Sequence, residues 1–145
     1  MINREAIYAA LFGLFETAAD FATVDRRLRH WSDGAPAEQP ALFVAQKSEL
    51  ASVNTLGAPT VWTLAVDLYV YAHSSDPYLA PATVLNPLID AVEAALMPSV
   101  ATGVQDLGLP AMVQHAYIHG KIETDEGVLG DQAVAMVPVE ILCVG

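Results

Sequence analysis

The chain has 145 residues, 54% of them hydrophobic, and its 17 acidic against six basic residues leave a formal charge of −11. That is one domain's length, too apolar for disorder, and a pI near 4.4 argues against general affinity for nucleic acid or anionic membranes. The longest apolar run, AIYAALFGLF at 6–15, is half of the about 20 residues a spanning helix needs, so the mean hydropathy of +0.39 points instead to faces buried in neighbouring subunits.

Asn3 can cap a helix over about 4–18, whose apolar stripe is Ile7, Leu11, Leu14, Phe15 and Ala18. Arg4 before this run and TAAD after it imitate a signal peptide, but Glu5 and Glu16 sit where such a peptide is not acidic, so a helix is expected rather than export. TVDRRLRHW (23–31) reads as a strand, followed by a loop with Gly34, Pro36 and Pro40. ALFVAQK (41–47) is a second strand, and ELASVNTLGAP a polar connection. TVWTLAVDLYVYAH (60–73) is the clearest strand. Trp62, Leu64, Val66, Leu68 and Val70 alternate onto a core face, and Thr63, Asp67, Tyr69, Tyr71 and His73 onto one suited to water or a neighbour.

SSDPYLAP turns the chain into a second helix ending near Met97–Pro98, with Pro87 expected in its opening turn and Val84, Leu85, Leu88, Ile89, Val92 and Leu96 as its stripe. MVQHAYIHGKIET and AVAMVPVEILCV read as strands joined by the acidic loop DEGVLGDQ. Pro138 cannot donate to a ladder, so the last strand is expected at an edge or with a bulge there. The order α-β-β-β-α-β-β predicts a single α+β domain, 1–145, with a mostly antiparallel sheet of about five strands and two helices packed on one face.

Local chemistry is sparse. His115 and His119 would share a face of a helix as zinc ligands do, but the alternation around them is that of a strand, where residues four apart stand about 13 Å from each other. Cys143, the single cysteine, excludes an intrachain disulfide, fits a reducing compartment and lacks a basic neighbour that would activate it. No nucleophile elbow or phosphate loop is present, and the acids of ETDEG with Asp131 lack EF-hand spacing. No catalytic residue, metal or cofactor is expected.

Three of the six basic residues, Arg26, Arg27 and Arg29, fall within four positions. On a strand Arg27, Arg29 and Trp31 would share one face, and Val24, Arg26, Leu28 and His30 the other, so that Arg26 would need a carboxylate partner. Three arginines supply few of the charges that duplex binding uses and would work against the field of 17 acids. Arginine is enriched at protein interfaces, and a copy of this chain offers carboxylates in abundance.

VDRRLRHW, EQPALFVAQK, WTLAVDLYVYAHSSDP, PATVLNPLIDAVEAAL and GDQAVAMVPVEI together resemble the tail terminator proteins of long-tailed bacteriophages, the group related to minor tail protein U. The similarity runs over almost the whole chain, and the long strand with its SDP turn and proline-containing helix is its most distinctive part. The resemblance implies a structural protein, not an enzyme. It would close into a ring, a homohexamer, on the finished tail tube, stop further addition of tube protein and form the tail side of the head–tail joint. The implied partners are further copies of itself, the tail tube protein and a head-completion or connector protein. DNA would pass through an acid-lined ring without specific binding. The implied location is the neck end of the tail in the virion, after assembly in the host cytoplasm. Arg26, Arg27, Arg29 and Trp31, the tyrosines Tyr69 and Tyr71, and the acids Glu123, Asp125 and Glu126 are the expected interface residues. A head-completion protein of the neck is the nearest alternative, and a nucleic-acid-binding accessory protein the next.

Overall fold

The computed structural model describes residues 1–18, 21–33, 38–126 and 130–145. Gly34 and Pro36 of the expected loop, and residues 127–129 of the acidic connection, lie outside the described residues. The elements are α1 (Arg4–Glu16), β1 (Thr23–Asp25), a 3-10 turn (Trp31–Asp33), β2 (Ala41–Ser52), β3 (Val61–His73), α2 (Ala82–Ala95), β4 (Val113–Ile118), β5 (Glu123–Glu126) and β6 (Gln132–Val144). They form an α+β fold around one six-stranded mixed sheet ordered β1-β2-β3-β6-β4, with β5 pairing β6 beyond the end of β4. Every pairing is antiparallel except β1 with β2.

Both helices pack on the same face of this sheet. Ile7, Leu11 and Phe15 of α1 and Leu85, Leu88 and Val92 of α2 are buried against Leu64, Val66, Leu68 and Val70 of β3 and Val137, Val139 and Ile141 of β6. The period of two along β3 places these side chains inward, as expected from its alternation. The Asn3 side chain accepts the Ala6 N–H at 3.1 Å, which caps α1. Pro87 is not in the opening turn of α2 but sixth in the helix, and it is tolerated on the exposed side, where water can take the carbonyl its missing N–H leaves unpaired.

Three strand expectations are corrected. The arginine segment is not a strand beyond Asp25: the Asp25 Oδ1 accepts the backbone N–H groups of Arg26 (2.7 Å) and Arg27 (3.2 Å), taking the donors that a ladder needs. ELAS is not a connection, because β2 runs on to Ser52 and pairs with β3 to Val61. MVQHAYIHGKIET is interrupted, since β4 stops at Ile118 and β5 starts at Glu123.

The cause of the interruption lies on the partner strand. Pro138 is interior to the sheet, not at an edge, and its carbonyl accepts the His119 N–H at 3.1 Å. The missing N–H of Pro138 points the same way, so the ladder on that side fails, and residues 119–122 bulge past residues 137–138. Gly120, at φ +112°, packs over the proline: a Cβ there would lie 3.4 Å from Pro138 Cγ, in a backbone region that side chains rarely adopt.

A second bulge, between Gln46 and Ser48, shifts the register of β2. Without it Ser48 would face the helices; with it Glu49 does, and Lys47 is left on the other side. Glu49 then accepts Arg4 Nε at 2.6 Å and the Tyr8 hydroxyl at 3.0 Å, while the Arg4 guanidinium lies 4.6 Å over the Trp62 ring. Burial, then the bond to Glu49, pushes the Tyr8 phenol up to about 12.

Candidate interaction surface

The sheet face away from the helices has no layer of its own among the described residues. Along β6 it presents Val134, Met136, Pro138 and Leu142, all partly exposed, beside Ala65 and Tyr69 of β3. Asp67 sits among them, paired in register with Pro138. Its Oδ2 is 3.8 Å from Lys47 Nζ, and its Oδ1 is buried without a hydrogen-bond partner among the described residues. A buried carboxylate with one distant cation is a cost to the isolated fold, so this aspartate is not explained by stability.

The arginine segment turns over one corner of this face. The Tyr71 hydroxyl donates to the Arg29 carbonyl at 2.8 Å, and the Arg29 guanidinium stands 5.6 Å over the Phe43 ring. Trp31 packs against the cluster of Ala41, Phe43 and Tyr71. The expected common face of Arg27, Arg29 and Trp31 is therefore absent, although the fold brings Arg29, Trp31 and Tyr71 together by folding the segment over β2 and β3. Tyr71 is buried by its own chain, which pushes its phenol up and removes it from the surface open to a partner. Tyr69 remains partly exposed. The crevice among Arg29, Trp31, Glu38 and Tyr71 holds about 10 Å³, no more than one water's room.

Four of the six basic side chains meet carboxylates of the same chain. Arg4 pairs with Glu49, Arg26 with Glu5, Arg29 with Glu38 at 3.7 Å and Lys47 with Asp67. The Arg26 bond holds the Glu5 carboxyl below its ordinary value, which supplies the carboxylate expected for Arg26 from within. Arg27 is exposed and makes no ion pair among the described residues.

At the opposite edge of the sheet β5 carries ETDE. In register, Glu123 lies beside Met136 and Asp125 beside Val134, which puts both acids on the open face. Thr124 and Glu126 alternate to the helix side. There the Glu126 Oε2 accepts the Ala82 N–H at 2.6 Å, so Glu126 satisfies the first turn of α2, whose N-cap Pro81 has no side-chain bond to offer. Glu126 is thus committed within the chain, a role that its position 44 residues away hides from sequence reading.

The histidines do not converge. The Tyr117 ring stands between His115 (centroids 5.1 Å apart) and His119 (5.7 Å), and the His115 Nδ1 accepts the Gln105 N–H at 3.0 Å. The Tyr117 hydroxyl donates to Glu140 at 3.1 Å; burial first, then this bond, pushes the phenol up. Among the described residues no group of three or more His, Cys, Asp or Glu side chains is placed to share a metal ion. Cys143 is fully buried, which pushes its thiol up to about 11 with a smaller push from Glu49, so it is protonated at neutral pH. No helix among the described residues is long and apolar enough to cross a membrane. Neither a scan of protein-family models nor a search of curated proteins returns a match to this chain.

Proposed function

We propose that this chain is a structural phage protein of the tail terminator kind, which caps the tail tube as a ring of copies and forms the tail side of the head–tail joint. The observation that carries the reading is the open sheet face. A fold whose two helices both lie on one side leaves Val134, Met136, Pro138, Leu142 and Tyr69 partly exposed on the other, and surface of that kind is what an assembling protein buries on its neighbours. The acidic charge of −11 suits a ring through which DNA passes without adhering. Arg26 and Arg29 are already matched by carboxylates, which weakens the nucleic-acid reading, since matched arginines release few counterions.

Deleting the gene from the encoding phage and imaging lysates by negative-stain electron microscopy tests this. Overlong tubes without heads, restored to normal length by the purified protein, are expected. Tails of normal length beside unjoined, DNA-filled heads would move the protein to the head side of the neck, and normal infectious particles would contradict a role in the neck.

A further inference from the structure

We propose that copies of this chain associate edge to edge through one contact, in which Arg27 and Arg29 of one copy meet Glu123 and Asp125 of the next. The register places the end of β1, from which the arginine segment leaves, and the acidic strand at the two ends of one row across the sheet. Asp25 at the end of β1 aligns with Phe43, Phe43 with Tyr69, Tyr69 with Met136 and Met136 with Glu123. The basic segment and the acidic strand therefore end the same row on opposite edges of one sheet. They also share a face: Arg29 lies over Phe43, and Glu123 and Asp125 lie on the side of Met136 and Val134.

The charges at both ends are available. Arg27 is exposed and Glu123 and Asp125 form no ion pair among the described residues. The one competing bond, Arg29 to Glu38, is 3.7 Å long between half-exposed side chains, the kind of surface pair that exchanges at little cost. The two arginines at one edge, which also carries Asp25 and Glu38, and the two acids at the other complement each other head to tail, and not back to back. That is the heterologous arrangement from which closed rings are built, and it makes a second copy the occupant. Like-charge repulsion sets the polarity: two acidic edges, or two arginine edges, repel. The contact stands on this geometry alone; only its closure into a ring rests on the proposed function.

Two single-cysteine probes that keep all four charges test the contact on the full chain. Leu28→Cys sits on an exposed position beside the arginines and Val134→Cys on a partly exposed position of the open face beside Asp125, while the native Cys143 stays buried. Mixed under mild oxidation, they are expected to form the heterodisulfide several-fold faster than either forms its homodisulfide, and to lose that advantage near 1 M salt, where the screening length is about 3 Å. Equal rates, or a preference indifferent to salt, would overturn the contact. The charge-reversed chains Arg27→Glu/Arg29→Glu and Glu123→Arg/Asp125→Arg give a second measurement by sedimentation. Each alone should lose self-association and the equimolar mixture should regain it; a mixture no better than its components counts against the pairing. Both are read without any tube present, so their failure is separable from a failure of capping.

Discussion

The two faces of the sheet are made by alternate residues of the same strands, yet they are built for different ends. On the helix side Leu64, Leu68, Val137 and Ile141 are each 0% exposed and pack in one continuous apolar core. On the open side Tyr69, Met136, Pro138 and Leu142 keep part of their surface in water, and a buried carboxylate, Asp67, sits among them without a full set of partners. The first face pays the entropy of folding, and the second contributes little to it. On the proposed function, stability and assembly are therefore separable by parity along a strand: a substitution one position on should move from one property to the other.

The largest expected effect is on the helix side. Leu68→Ala should cost about 2–5 kcal/mol by lost burial and the cavity left behind, read as a fall in the urea midpoint. Next is the link between β2 and α1. The raised phenol of Tyr8 means that its protonated form is the one the fold favours. Its stabilisation is full below about pH 10 and is lost as pH rises toward about 12. Tyr8→Phe should flatten that part of the alkaline stability profile, measured by thermal melts across the range. A smaller loss, about 1 kcal/mol, is expected for Glu126→Ala, which leaves the first turn of α2 without its side-chain acceptor. The smallest is on the open side: Met136→Lys should leave the melting temperature nearly unchanged while reducing self-association in sedimentation. A large destabilisation by Met136→Lys would erase the distinction between the faces.

How far these features were legible in the sequence depends on how local their causes are. The alternation of β3, the stripes of both helices and the Asn3 cap are written in neighbouring residues and appear as expected, except that α1 ends at Glu16 and leaves Ala18 outside its stripe. The arginine segment misleads because its apolar–polar alternation is that of a strand, whereas Asp25 takes two backbone donors with its side chain. The Asx turn over Asp25–Arg27 is a local signal, since an aspartate side chain readily accepts the backbone N–H two residues on. The break between β4 and β5 has its cause in Pro138, 18 positions beyond Gly120, and no local pattern marks it. Likewise the Lys47 bulge that turns Glu49 toward Tyr8, and the reach of Glu126 to α2, exist only once strands are paired. The charged candidate interface residues are visible as such in the sequence, but the row that joins their two edges is not, since it depends on strand order β1-β2-β3-β6 with β5 beyond.

The most direct test of the account is to see where the protein sits. Purified chain bearing a small gold label, added to tail tubes lacking it and viewed by electron microscopy, is predicted to mark one end of each tube and to prevent further growth there. Label along the tube walls, on the heads alone, or on no particle at all would contradict a capping role.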